Sequence, residues 1–191
     1  MGCSSTDRLR LLADSYLDHV LIALEAGDVS AKLRDFLDPW WVFERGGILV
    51  HRRDDGGFTA HTFNNPCGWA HRERLRAFDW VSEGAARILD RGYEARIVNR
   101  KQHPVELRLM ADHAVPLAVI KAELWRKPQS WSRESLRSFL RQNLRRGVIA
   151  FTEDQGLNKR KLRDRMPEDW QMGGDPYARY YAVGIKPAAE R

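Results

Sequence analysis

The residues best suited to chemistry lie between Phe58 and Ala70. Phe58-Thr-Ala-His-Thr-Phe63 alternates like a strand, Asn64-Asn-Pro-Cys-Gly68 breaks it, and a helical period begins near Ala70. A strand that turns through glycine into a helix makes an anion site. The first N–H groups of the helix lack internal partners there, and the helix dipole adds partial positive charge. Gly68 has no Cβ to hold a ligand off the backbone. Asn65, Cys67, Gly68, Trp69 and Ala70 would supply the backbone that meets the anion. Asn, Pro and Gly are equally the residues of an ordinary turn that ends an edge strand.

A second constellation is cationic. Arg133, Arg137, Arg141 and Arg145 recur every four residues and line one face of a helix expected over 132–146, with Leu136, Phe139, Leu140 and Leu144 beside them. Lys159, Arg160, Lys161, Arg163 and Arg165 follow closely. Together they could form a phosphate-binding surface of salt-sensitive affinity, and Trp125, Trp131 and Trp170 are near enough in sequence to stack on bases. The same stripe suits a solvated face balanced by Glu134, Glu153, Asp154 and Asp164, or docking on an acidic protein. The histidines show no H-E-x-x-H or Cys/His spacing, so no metal is expected. Cys3 and Cys67 make neither a disulfide framework nor a zinc pair, which suits a reducing, cytoplasmic compartment. Met1 to Thr6 fits the pattern for N-myristoylation at Gly2 with palmitoylation at Cys3, a pattern short enough to arise by chance.

The elements that must position these residues come from a chain of 191 residues, 43% hydrophobic, with 32 basic against 26 acidic side chains. That length buries a core without disulfide or metal staples. The net charge of +6 favours polyanionic partners: nucleic acid, phosphate-bearing cofactors or an acidic protein face. No run of 18 apolar residues occurs, and no secretory signal opens the chain. Periodicity predicts an amphipathic helix over 6–26, closed by Gly27, and a shorter one over 30–37, stopped by Pro39. Strands follow at 41–43, 48–52 and 58–63 as a three-strand meander, then a long helix over 70–90. Beyond it come a strand at 93–98, a helix over 104–111 and a strand at 117–125. The last third reads as the 132–146 helix, a strand at 147–151, a capped helix opening at 152–155, and a Gly-, Pro- and Tyr-rich tail that wraps the surface. The fold class is α+β: a central, mostly antiparallel sheet flanked by helices over 1–127, with a basic helical extension over 128–191.

This order resembles the GNAT family of acyl-CoA-dependent N-acyltransferases. In that family two helices and a three-strand meander precede a Gln/Arg-x-x-Gly-x-Gly/Ala loop that opens a long helix. Asn65-x-x-Gly68-x-Ala70 fills the loop pattern except at its first place. The resemblance implies that backbone N–H groups from Asn65 to Ala70 hold the pyrophosphate of acetyl-CoA or another acyl-CoA, and that the fourth and fifth strands splay around its pantetheine arm. It also implies a general base for the attacking amine, His61 on the last meander strand or Glu44 at the end of the first. The tyrosine that in that family protonates the departing thiolate has no counterpart, because Arg108, Leu109 and Met110 occupy its region. Two functions therefore stand side by side. One is an acyl-CoA-binding N-acyltransferase-like protein, catalytic or vestigial. The other is a non-enzymatic nucleic-acid- or protein-binding module of phage or plasmid type, acting through the basic C-terminal face.

Overall fold

In a computed structural model of the chain, the described residues are 5–45, 50–52, 54, 57–60, 78–90 and 105–188. They fall into two compact units. The first takes residues 1–65 and 121–140, the second 66–120 and 141–191, where the sequence suggests one boundary near 127. Among the described residues no helix is long and apolar enough to cross a membrane.

The first unit opens with α1 (Ser5–Glu25), which buries Ala13, Leu17, Val20 and Leu24 as the apolar spacing requires. Gly27 ends it at φ +67, and the Asp28 N–H returns to the Ala23 carbonyl at 3.0 Å. The next helix, α2 (Arg34–Glu44), overturns two expectations at once. It runs through Pro39 instead of stopping there, and it absorbs Trp41-Val42-Phe43, expected as a strand. An interior proline costs about 3 kcal/mol. Burying an aromatic of this size returns about 4–6 kcal/mol by area, and Trp40 and Trp41 are left only 1% and 2% exposed. A short, wholly apolar run has no period by which strand and helix differ, so the sequence pattern was ambiguous there.

With residues 41–43 helical, the expected three-strand meander reduces to a hairpin of β1 (Val50–Arg52) and β2 (Phe58–Ala60), antiparallel with Val50 opposite Ala60.

The second unit is built on a small mixed sheet. Its first strand, β3 (Trp80–Val81), lies inside the stretch expected as one long helix over 70–90. Ser82 causes the break: its Oγ accepts the Ala85 N–H at 2.9 Å, an N-cap that starts α3 (Glu83–Asp90). The expected helix over 104–111 is a single 3₁₀ turn, Val105–Leu107, followed by β4 (Leu109–His113). The expected strand at 117–125 is α4 (Leu117–Arg126). Pro116 introduces it, its carbonyl accepting the N–H groups of Val119 and Ile120, and Ala, Lys, Glu, Leu and Arg carry it on.

Next come α5 (Arg133–Asn143), entered through reciprocal Ser132 and Ser135 hydrogen bonds, and β5 (Arg146–Ala150), buried along its whole length. Strand order is β3-β5-β4, with β3 parallel and β4 antiparallel to β5. The α+β class holds, and the sheet is small and mixed rather than central and antiparallel. Two helices complete the chain: α6 (Phe151–Lys159), which is capped at Ala150, two residues before the expected Thr152, and α7 (Ala178–Tyr181). Pro187 bridges back to Ser82, so the tail runs along the free edge of β3. Trp80, Ile149, Leu157, Tyr180 and Ile185 form the core of this unit, with Trp80 stacked on Tyr180 at 4.8 Å.

Candidate nucleic-acid interface

The basic residues of the last third divide into two sets with different surroundings. The regular stripe on α5 is turned toward carboxylates of its own chain. Arg133 donates to both oxygens of Asp18, at 2.6 and 2.7 Å, which raises its pKa further by hydrogen bonding and charge. Arg137 is hydrogen-bonded to Asp14, and its Nε lies 3.5 Å from Glu44. Just beyond the helix, Arg145 pairs with Asp79 at 3.0 Å, and the other oxygen of Asp79 accepts the Arg146 N–H. Arg141 is exposed and also interacts within the protein. The acidic partners of Arg133 and Arg137 sit on α1 and α2, far away in sequence, which is why the stripe looks unbalanced when read locally.

The second set follows α6. Lys159, Arg160, Lys161 and Arg163 are exposed, and among the described residues none of them has a carboxylate partner. Arg165 has only a loose, exposed contact with Asp164 at 3.8 Å. The backbone beneath these cations is fixed. The Leu162 N–H bonds the Leu157 carbonyl at 2.8 Å and the Lys161 N–H bonds that of Asn158 at 3.0 Å, which is the Schellman closure of a helix. Leu157 is fully buried and Leu162 packs against the same core, supplying the apolar contact that accompanies this closure. Lys161 occupies the left-handed position at φ +59, where glycine is the usual residue.

A buried arginine holds the continuation. Arg179, on α7 and 1% exposed, donates to the carbonyls of Leu162 at 2.8 Å and Arg163 at 3.1 Å. It also reaches the carbonyls of His113 and Ala114 and the carboxylate of Asp112. Its fork of donors thus meets five acceptors, four of them backbone, and clamps the turn onto the end of β4. Asp112 accepts in addition from the Tyr180 hydroxyl at 3.0 Å. Burial, and then the negative charge of Asp112, push the Tyr180 pKa well above its ordinary value.

Of the residues implicated by the acyl-CoA resemblance, His61, Asn65, Cys67, Gly68, Trp69 and Ala70 lie outside the described residues. Glu44 does not close a strand. It ends α2, and its carboxylate lies 3.5 Å from the Arg137 Nε. Sequence reading missed Arg179, because one arginine in a Tyr-rich tail carries no local signal. It also missed the strained Lys161, although Leu157 and Leu162, spaced as the apolar pair of a helix closure, could have indicated it. Among the described residues no group of three or more His, Cys, Asp or Glu is placed to hold a metal ion. Comparison with protein-family models, curated proteins and solved structures finds no match to this chain.

Proposed function

We propose that this protein binds nucleic acid through its phosphate backbone, with Lys159, Arg160, Lys161, Arg163 and Arg165 as the contacting cations. One observation carries the reading: the first four of these side chains are exposed without carboxylate partners among the described residues, Arg165 has only its loose contact with Asp164, and Arg179 holds the backbone beneath them, while the α5 arginines are engaged internally. Cations at a helix C-terminus are also expected on structural grounds, since each gains about 0.3–1 kcal/mol against the helix dipole. That accounts for Lys159 and Arg160. It does not account for Arg163 and Arg165, which lie beyond the closure, or for a lysine at a left-handed position.

A fixed row of long cations suits the regular spacing of phosphates and reads no sequence by itself. With four to five contacts, binding to duplex should fall steeply with salt, at a slope near −4 in log K against log salt. The test is fluorescence anisotropy with labelled duplex DNA, single-stranded DNA and RNA from 50 to 200 mM KCl. Support is binding with that salt dependence, lost in Lys159→Glu/Lys161→Glu/Arg163→Glu and kept in Arg133→Gln. Binding that the triple variant leaves intact, or no binding at low salt, overturns the reading. An acidic protein partner would then be the ligand to seek. The acyl-CoA reading rests on Asn65 to Ala70 and has its own test below.

A further inference from the structure

The outward face of α1 carries a pattern that the core does not explain. Arg8, Leu11, Ser15, Asp18, Ile22 and Glu25 follow one another at spacings of three and four, so they form one straight seam along the helix. The seam lies opposite the buried line of Ala13, Leu17, Val20 and Leu24. Leu11 and Ile22 are 62% and 60% exposed, the only two large apolar side chains on α1 to be so. Ordinary surface helices do leave single apolar residues in water, and exposure alone would carry nothing.

The order of residues along the seam is what singles it out. Turned end for end about a point between Tyr16 and Leu17, the seam matches itself. Arg8 falls opposite Glu25, Leu11 opposite Ile22, and Ser15 opposite Asp18. Among the described residues neither Arg8 nor Glu25 has an ion-pair partner. Asp18 keeps 40% of its side chain exposed while it accepts from Arg133, which leaves it lone pairs for a further donor.

We propose that α1 pairs through this face with α1 of a second copy, antiparallel and two-fold symmetric. Each end of the seam then carries an ion pair between Arg8 and Glu25 of the partner subunit. The two apolar steps each join Leu11 to Ile22 of the partner subunit. At the centre the Ser15 hydroxyl donates to Asp18 of the partner subunit, twice over. A parallel pairing would set Arg8 against its own copy and Glu25 against its own, so the charge pattern selects the antiparallel arrangement. Two apolar contacts per subunit make a modest interface, so the dimer should be weak and its population should depend on concentration. The inference involves only the first unit and stands apart from the nucleic-acid reading.

Sedimentation equilibrium of the full chain from 10 µM to 1 mM in low salt tests it. A monomer–dimer equilibrium is expected in the parent. Arg8→Glu alone and Glu25→Arg alone should each raise the dissociation constant about tenfold, because each replaces two attractive contacts by repulsive ones. Arg8→Glu with Glu25→Arg should restore it to within about threefold, since the swapped charges meet again across the two-fold axis. All four positions of the charge and apolar pairs are at the surface, and helical circular dichroism of each variant confirms that it folds. A parent that stays monomeric to 1 mM overturns the proposal. So does a dimer indifferent to the single reversals, or one that the double reversal fails to restore.

Discussion

Replacing Lys161 by glycine should strengthen the fold and weaken the proposed nucleic-acid binding. Lys161 sits at φ +59 in the closure of α6, and a left-handed residue with a Cβ costs about 1–2 kcal/mol. Glycine removes that cost, gives back some of it as greater freedom in the unfolded chain, and forfeits the favourable position of a cation by the helix end. The net gain is about 0.5–1 kcal/mol, or about 1–4 °C in Tm for a chain of this size. Binding moves the other way. One cation fewer reduces the salt slope on duplex by about 0.9 and lowers affinity several-fold at moderate salt. Lys161→Asn serves as the control, because asparagine tolerates the left-handed region and is uncharged. The assays are a thermal melt and anisotropy titrations at four salt concentrations. A glycine variant that binds with the parent's slope would refute the assignment of Lys161 to phosphate contact. A glycine variant that melts lower would refute the account of strain.

Other consequences are open to direct measurement. Gly84→Ala should destabilise by about 1–3 kcal/mol, because a Cβ there would lie 2.5 Å from a Glu153 oxygen. That carboxylate cannot retreat without losing the Ser82 hydroxyl and the Ala150 N–H, at 2.5 and 2.7 Å; an unchanged urea midpoint would contradict the packing. Arg179→Lys should cost about 3 kcal/mol or more, since a single ammonium leaves buried acceptors unmet, and nucleic-acid affinity should fall along with stability. Tyr180 has its folded pKa raised above the ordinary 10.0, so the stability it contributes is complete below pH 10 and lost as pH climbs toward the folded value, at about 1.4 kcal/mol per pH unit. Tyr180→Phe should lose about 1 kcal/mol at pH 7 and show a shallower decline above pH 10; parallel urea midpoints for the two proteins across pH 8 to 11 would refute this. Gly68→Glu should leave nucleic-acid binding unchanged, whereas saturable acetyl-CoA binding that this variant abolishes would establish the acyl-CoA reading instead.

What was legible in the sequence, and what was not, follows from the range of the interactions involved. The first helix could be read because its apolar residues repeat at 3.6 and Gly27 supplies the positive φ of its end. The strand at 146–150 could be read because a long helix and a capped short one bracket it. Elements failed where local signals conflicted with burial. Pro39 marks a stop that two buried tryptophans override, and Trp80 and Ser82 split a helical period with a strand and an N-cap. The ion pairs of the basic surface were hidden for a different reason. The arginine stripe on α5 has the more regular spacing, yet Asp14, Asp18 and Glu44 meet two of its cations from more than 90 residues away in sequence. The irregular run from Lys159 to Arg165 has fewer helical features, and only the closure of α6 and the grip of Arg179 show its backbone to be fixed. Periodic charge thus reported which face a helix presents, while the carboxylates brought by the fold decided which charges are left for a partner. A charge reversal on α5 should therefore be felt first in stability, and one in the 159–165 turn first in binding.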